Sequence, residues 1–272
     1  MKRIWLVADD YGISKSVNRA IRDLLSEGRL SATSVMTPAP AFDNEEARLL
    51  SESVRASGRA IGLHLTLTSP FGPLSLGYRP TQRNKFLPLG KTFAAALLGH
   101  LDRDALAAEI RTQIKTFVGA FGRPPDFIDG HQHVQLLPPV ADSLLDVMQT
   151  ETPKAWVRQC GRAPDARGFD SKAVILDMLS RSFRQRAAQR GVRTNAAFAG
   201  TYSFRADAKF ENLFPKFLDS LPDGGLVMCH PGIVDDTLVA LDPLTTLRER
   251  EYDYFRSADF TAALSARAIT LR

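Results

Sequence analysis

The chain has 272 residues, and its 44% hydrophobic and 24% charged composition excludes the collagen-like, disulfide-scaffold and intrinsically disordered classes. Its formal net charge is +5 at pH 7, but the basic residues are scattered and form no patch with interleaved aromatics, so we expect no nucleic-acid partner. The longest apolar run, residues 93–98, is far shorter than the roughly 20 residues of a bilayer-spanning helix, so we expect no membrane span.

Short apolar runs alternate along the chain with longer amphipathic runs, which is typical of βα units and a largely parallel sheet. Ser14 is the predicted N-cap of the first helix, and Gly28 is its predicted end. Residues 69–91 are rich in Pro, Gly and polar residues without a clear period, and we interpret them as a long loop. In chain order the predicted elements are strand 3–8, helix 14–28, strand 32–36, helix 43–55, strand 60–67, helix 103–121, strand 126–129, helix 139–149, strand 155–157, helix 171–190, a short strand near residue 197, helix 207–220, strand 225–229, helix 257–267 and strand 268–271.

About seven strands separated by helices favour a TIM-like (β/α) barrel, complete or distorted, over an open doubly wound sheet. The chain shows no internal repeat, low-complexity tract or linker, so residues 1–272 are interpreted as one domain. Asp9 and Asp10 interrupt the amino-terminal apolar run before it reaches the length of a signal-peptide core. The two cysteines, Cys160 and Cys229, do not indicate an oxidising compartment. We therefore expect a cytoplasmic protein, and a homodimer stays open as its oligomeric state.

Ionisable side chains lie in or just after several of the predicted strands. They are Asp9, Asp10, His64, His131, His133 and His230. Because the carboxyl ends of parallel strands share one face of a barrel, we expect these side chains to line one pocket. One carboxylate and two imidazoles suit a divalent cation that keeps positions open for water. Such a cation lowers the pKa of water and polarises a carbonyl, as hydrolysis of an amide or ester requires.

Each of these signals also has an interpretation without function. An adjacent Asp pair is typical of a turn or helix cap, and a single histidine in an apolar strand, such as His64, is more often a core residue. The His230-Pro231-Gly232 segment has the composition of a turn. Cys229 next to His230 is best interpreted as a buried structural cysteine, because neighbouring residues in a strand point to opposite faces. The shared placement at strand ends is what favours a joint site.

Two further residues are candidates for contact with a sugar. Trp156 and Arg158 lie at the end of a short predicted strand. Aromatic rings stack on the apolar faces of sugars, and an arginine side chain bridges hydroxyl or carboxylate groups. We therefore predict that both residues line a sugar-binding face, with core packing as the alternative for Trp156.

Four segments of the sequence resemble motifs of the YdjC-like carbohydrate deacetylases, also called the ChbG/HpnK group. The segments occur in the order and approximate spacing of that family, and the resemblance spans nearly the whole chain. They are Ala-Asp-Asp-Tyr-Gly at 8–12, Gly-Leu-His-Leu-Thr-Leu-Thr at 62–68, Asp-Gly-His-Gln-His-Val at 129–134 and His-Pro-Gly at 230–232. The resemblance implies a (β/α)-barrel fold and a hydrolase that removes an N-acetyl group from an amino sugar or N-acetylated oligosaccharide with the help of a divalent metal ion, Mg²⁺ or Zn²⁺.

The resemblance also implies roles for individual residues. The metal ligands of the family fall on Asp10, His64 and His131, and its general base falls on Asp9. His230 matches the position that we assign to the general acid. His133 is the second choice for the acid, or a substrate contact.

This sequence departs from the family pattern at two places. Members of the family often carry a run of histidines, which Gln132 interrupts here, and Gln135 stands where a further histidine would follow. The three implied ligands are intact. Two other functions stay open: a different metal-dependent reaction at the same two-histidine, one-carboxylate site, including non-haem iron oxygenase chemistry, and a non-catalytic carbohydrate-binding module. The acetylated sugar also stays open, between chito-oligosaccharides and lipids that carry an amino sugar.

Overall fold

A curled parallel sheet organises the fold, and the computed structural model describes residues 1–163, 171–205 and 207–272. The strands are β1 (Lys2–Tyr11), β2 (Ala32–Val35), β3 (Ala60–Leu65), β4 (Thr81–Gln82), β5 (Lys85–Phe86), β6 (Phe127–Gly130), β7 (Trp156–Val157), β8 (Phe198–Ala199), β9 (Leu226–Cys229) and β10 (Ile269–Leu271). The helices are α1 (Lys15–Ser26), α2 (Asn44–Val54), α3 (Leu89–Leu97), α4 (Arg103–Phe121), α5 (Pro138–Glu151), α6 (Ser171–Gln189), α7 (Phe210–Asp219), α8 (Asp236–Leu241), α9 (Thr246–Arg256) and α10 (Ala258–Ser265), and a 3₁₀ segment covers His131–Leu136.

The strand order shows that the sheet curls into a distorted (β/α) barrel. Neighbours follow one another as β7, β6, β3, β2, β1, β9 and β8, all parallel, and β10 pairs with the first residues of β1. The β7 edge also contacts the chain just before β8, through a parallel bridge between Val157 and Thr194. A hydrogen bond of 2.9 Å from the Phe198 amide to the Gly161 carbonyl adds to this contact. The predicted barrel class is therefore confirmed.

Helix α1 illustrates how local sequence sets an element. The Ser14 side chain accepts a hydrogen bond of 3.3 Å from the Val17 amide, which satisfies one of the free donors of the first helical turn. Val17, Ile21 and Leu24 recur at helical spacing and are buried against the sheet. Gly28 follows the helix with a φ of 70°, a left-handed conformation that glycine adopts without steric cost. The predicted cap and end of this helix are confirmed.

The structure corrects the prediction for residues 69–91. This stretch contains the antiparallel β4–β5 hairpin and the first turn of α3. Its middle is held by Glu109, a buried residue of α4 whose carboxylate accepts hydrogen bonds of 3.1 Å from the Leu74 amide and 2.7 Å from the Ser75 amide. The two-residue strands are too short to produce a readable period, and a side chain 34 residues away supplies the ordering contact.

The prediction also missed α8 and α9, whereas the helix that it placed at 257–267 corresponds to α10. The inward face of α9 explains why this helix was missed, because it buries Arg248 and Glu251 rather than a continuous apolar stripe. None of the helices in the described ranges has the length and apolar composition required to cross a bilayer.

Gly62 gives a test of the packing inside the barrel. A Cβ atom at this buried position of β3 would lie 2.5 Å from the Phe127 ring, so Gly62→Ala should lower the free energy of unfolding by about 1–3 kcal/mol. Gly119→Ala is the matched control, because an added Cβ on this exposed α4 position meets nothing within 4 Å. It should raise stability by about 0.5–1 kcal/mol. Chemical denaturation measures both, and equal stability of Gly62→Ala and wild type would contradict the packing.

Candidate active site

The carboxyl ends of the strands surround a cavity of about 480 Å³. The structure brings to this cavity the six ionisable residues that the sequence placed at strand ends. Its lining includes Asp9, Asp10, His64, His131, His133 and His230. Further lining comes from residues 242–247, which comprise the connection between α8 and α9 and the first two residues of α9, and from Leu89, Gln132, Phe204 and Met228.

An irregularity at the end of β1 allows both adjacent aspartates to face the cavity. The pairing of β1 with β2 shifts register between Ala8 and Tyr11, and Asp10 has a φ of 68°. In a regular strand, neighbouring side chains point to opposite faces. The left-handed residue breaks that alternation, and aspartate is among the residues that tolerate this conformation. The β1 irregularity therefore places the Asp9 and Asp10 carboxylates in the same pocket.

Asp10 lies at the centre of a cluster with two histidines. Its Oδ1 atom is 3.0 Å from Nδ1 of His131 and 3.2 Å from Nε2 of His64. The other ring nitrogen of His64, Nδ1, is 2.6 Å from Oδ1 of Asp129, a fully buried carboxylate on β6. Burial lowers the pKa of His64, but the carboxylates of Asp129 and Asp9 oppose it and raise that pKa to about 10. Asp129 thus orients the ring so that Nε2 faces Asp10.

These residues fit a divalent cation. One ligand atom from each of Asp10, His64 and His131 lies within 4.8 Å of the other two. A histidine ligand usually has its second ring nitrogen on a carboxylate, as His64 has on Asp129. Oxygen and imidazole donors accept magnesium, manganese or zinc.

A second group of potential ligands, Asp9, His64 and Asp129, is equally close. Here the Arg158 guanidinium already neutralises the two carboxylates, at 2.6 Å from Asp9 and 2.5 Å from Asp129. We interpret this second group as a buried ion-pair network that supports the site.

Asp9 is held by both nitrogens of one guanidinium. Nη1 and Nη2 of Arg158 donate hydrogen bonds of 2.7 and 2.6 Å to the two carboxylate oxygens. Burial would raise the pKa of Asp9, but Arg158 and then His64 lower it, so the net pKa lies below the ordinary value. Asp9 is therefore ionised at neutral pH. Arg158, which lies below the pocket, fixes the orientation of its carboxylate.

The positions of Trp156 and Arg158 differ from the predicted sugar-binding face. Arg158 is fully buried under Asp9. Trp156 opens β7, at the end of the sheet opposite the cavity, and its ring packs against Phe127 at 4.6 Å and Trp5 at 5.3 Å. Within the described residues, the cavity lining includes neither side chain. The alternative of core packing holds for Trp156, and Arg158 acts as a buried counter-ion.

Sequence reasoning missed Arg248, which lies on α9. Its Nη2 atom donates hydrogen bonds of 2.6 Å to Oδ2 of Asp10 and 2.7 Å to Oδ2 of Asp242. Burial would raise the pKa of Asp10, but Arg248 and then His131 bring that pKa well below its ordinary value. Because Arg248 takes Oδ2, the Asp10 oxygen that faces the histidines is Oδ1. A Leu-Arg-Glu-Arg-Glu stretch carries no motif, so only its packing identifies this residue.

Sequence reasoning also missed Glu251, one turn further along α9. Its Oε2 atom accepts a hydrogen bond of 2.5 Å from the His230 amide, and Oε1 accepts one of 2.7 Å from the Tyr202 hydroxyl. Burial raises the pKa of Glu251 to about 7. Burial lowers the pKa of the His230 imidazole to about 4, so this ring is neutral at pH 7. Glu251 therefore anchors the backbone of the turn that carries His230.

The two glutamines that depart from the family pattern have different surroundings. Gln132 and His133 both line the cavity and adopt left-handed φ values of 55° and 61°. Gln135 is fully buried behind them, where its amide nitrogen is 3.3 Å from the Arg158 carbonyl. Nδ1 of His133 is 3.5 Å from the sulfur of Cys160.

Fold and site together define a class: a distorted (β/α)-barrel protein with a candidate divalent-metal centre at the carboxyl ends of its strands. The model of the YdjC-like protein family matches residues 3–266, and the chain belongs to this family. A chitooligosaccharide deacetylase from Klebsiella pneumoniae (strain 342) is 30% identical over 282 residues, covering 100% of this chain and 98% of the relative. A chitooligosaccharide deacetylase from Serratia marcescens is 28% identical over 277 residues, with 100% and 98% covered. The resemblance stated from the motifs is confirmed.

Solved structures share the fold. A protein from Enterococcus faecalis V583 that is named for cellobiose-phosphate cleavage superposes with a TM-score of 0.77 at 21% identity, covering 100% of this chain and 97% of the other. The Bc1960 peptidoglycan N-acetylglucosamine deacetylase superposes with a TM-score of 0.52 at 8% identity, covering 99% and 85%. At these identities the likeness concerns the fold alone.

Glu251 predicts how stability changes with pH. Its pKa rises from 4.5 to about 7 on folding, so the native state keeps a proton that the unfolded state loses between these values. The contribution of Glu251 to stability is therefore complete below pH 4.5 and declines as the pH rises towards 7. Relative to wild type, Glu251→Gln should gain unfolding free energy over this window and then level off, as measured by denaturation at a series of pH values. A difference that does not change with pH over this window would mean that folding does not raise the pKa of Glu251.

Proposed function

We propose that this protein is a carbohydrate deacetylase that hydrolyses the N-acetyl amide of an amino sugar, with N-acetylated chito-oligosaccharides as the first substrate class to test. The observation that carries the proposal is the joint placement of the Asp10, His64 and His131 cluster and of Asp9 around one cavity. The names of the relatives from Klebsiella and Serratia support the same activity.

The proposed metal ligands are Asp10, His64 and His131, with Mg²⁺ and Zn²⁺ as the candidate ions. A divalent cation supplies polarisation of the acetyl carbonyl and activation of water when it is bound. His64 keeps its position because Asp129 holds the opposite ring nitrogen. Asp10 keeps its position because Arg248 holds one of its two oxygens.

Asp9 is the proposed general base. It is ionised, lines the cavity and is oriented through both oxygens by Arg158, so a water molecule that attacks the amide carbon can pass its proton to this carboxylate. Because its pKa is lowered, Asp9 is a weak base, but once protonated it gives up its proton easily. The proton that Asp9 takes from water can therefore pass on to another group.

His230 is the proposed general acid that protonates the departing amine. Because its pKa of about 4 leaves the ring neutral at pH 7, it must take up a proton during the reaction, and the proton that Asp9 accepts from water is the proposed source. His133, which also lines the cavity, is the second choice for this transfer or a contact to the substrate. Acetate and a free amino sugar are the products.

Replacement of the proposed ligands tests the metal centre. His64→Ala and His131→Ala should each lose bound metal by elemental analysis after gel filtration, because two remaining donors hold a divalent ion weakly. His133→Ala is the control, since this histidine lines the same cavity outside the Asp10 cluster and its loss should leave the metal content unchanged. Full metal content in both ligand variants would refute the assignment.

Replacement of the proposed base tests the reaction. Asp9→Asn should keep the metal and lower the rate of acetate release from an N-acetylated chito-oligosaccharide by about 10²–10⁴, because an amide cannot accept the proton. The control is Asp146→Asn. The Asp146 side chain is half-exposed on α5, so this variant should release acetate at the wild-type rate. The assay is run under nitrogen with added metal, so that a reaction dependent on oxygen would give no signal. An unimpaired Asp9→Asn enzyme would remove Asp9 from the mechanism.

A further inference from the structure

The cavity has an aromatic residue that the proposed mechanism does not use. Phe204 lies in the segment that follows β8, lines the cavity and is 36% exposed. Most other aromatic side chains of comparable size in the described chain are buried in the core, as Phe210 and Phe214 are. Its exposure inside a pocket, rather than on the outer surface, therefore calls for a functional explanation.

The Phe204 ring is placed relative to the reacting groups by a short series of contacts. Its centroid is 4.4 Å from that of Tyr202 and 5.6 Å from that of His230, which it meets edge to face at 83°. The Tyr202 hydroxyl is bound by Glu251, and the same carboxylate holds the His230 amide. Glu251 therefore joins the Tyr202–Phe204 pair and the His230 turn into one unit.

The remaining walls of the cavity decide what such a ring could bind. One side of the cavity is lined by Asp9, Asp10 and Asp242, which the buried Arg158 and Arg248 pair with from behind, and among the described residues the lining includes no lysine or arginine side chain. The described lining therefore presents no lysine or arginine that could bind a phosphate or carboxylate group of a sugar, which favours a neutral sugar. A pyranose ring presents hydroxyl groups at its rim and C–H groups on its faces, and a phenyl ring can pack against those faces.

We infer that Phe204 is a substrate-binding residue, which packs against a neutral pyranose ring while the acetamido group of that sugar reaches Asp9 and the Asp10 cluster. This inference rests on the proposed deacetylase function and assigns to Phe204 the sugar contact that the sequence had predicted for Trp156. Cavity volumes of a few hundred Å³ are typical of sites for small ligands, and about 480 Å³ is ample for one sugar ring.

A structural role is the competing explanation, because Phe204 also touches His230. The two roles affect different kinetic constants. Loss of a substrate contact that is equal in the ground and transition states raises KM and leaves kcat unchanged. Loss of support for His230 would instead lower kcat and alter its dependence on pH.

The experiment compares Phe204→Ala, Phe204→Leu and Phe204→Trp in the metal-loaded enzyme, with N,N′-diacetylchitobiose as the probe and acetate release as the signal. Phe204→Ala should raise KM about five- to tenfold with kcat within about twofold of wild type, as expected for loss of one aromatic contact. Phe204→Leu, which is apolar but not planar, should stay impaired, and Phe204→Trp should restore KM. Leu97→Ala is the control, because Leu97 is an exposed apolar residue of α3 that does not belong to the cavity lining, and it should leave KM unchanged.

Binding of the same probe is also measured by calorimetry, in wild type and Phe204→Ala, so that the inference is tested separately from the activity. Weaker binding by Phe204→Ala would support it even if wild type released no acetate, an outcome in which the proposed deacetylase function alone would fail. An unchanged KM and affinity in Phe204→Ala, or a fall in kcat with a shifted pH profile and unchanged KM, would overturn the inference. Failure of wild type to bind the probe would overturn it as well.

Discussion

The structure depends on the burial of several carboxylates beneath one pocket, which is unfavourable unless cations accompany them. Arg158 neutralises Asp9 and Asp129 from below, at 2.6 and 2.5 Å, and Arg248 reaches Asp10 from the side at 2.6 Å. Both guanidinium groups are fully buried. The cavity can present ionised acids to a substrate or cation because these two arginines offset their repulsion. Neither arginine belongs to the segments that resemble the family motifs.

The same interactions couple the proposed base to the proposed metal ligands. Asp9 and Asp129 share Arg158, Asp129 orients His64, and His64 faces Asp10. Arg158 therefore positions both Asp9 and Asp129, and Asp129 in turn positions His64. Orientation of a histidine by a buried carboxylate is the arrangement that keeps one ring nitrogen available to a cation. A substitution of Arg158 should therefore disturb the positions of both Asp9 and Asp10.

Helix α9 shows why part of the site could not be predicted. Sequence patterns identify helices through apolar periodicity, but α9 turns Arg248 and Glu251 towards the interior, where they contact Asp10 and His230. A charged stretch of this kind is otherwise typical of a solvated surface. The prediction for Trp156 failed for a related reason: the end of the sheet at which a residue lies follows from strand register, and here Trp156 pairs with the first residue of β6.

The sequence by itself determined the alternation of strands and helices, the cap at Ser14, the family, and the set of strand-end acids and histidines, because these depend on local periodicity and on short motifs. Tertiary structure decided which of those groups touch: the turn of Asp10 into the pocket, the buried counter-ions Arg158 and Arg248, and the exposed ring of Phe204. The contacts of Arg158 with Asp9 and of Arg248 with Asp10 join residues 149 and 238 positions apart. Their partners are set by strand register and helix packing, which no local pattern encodes.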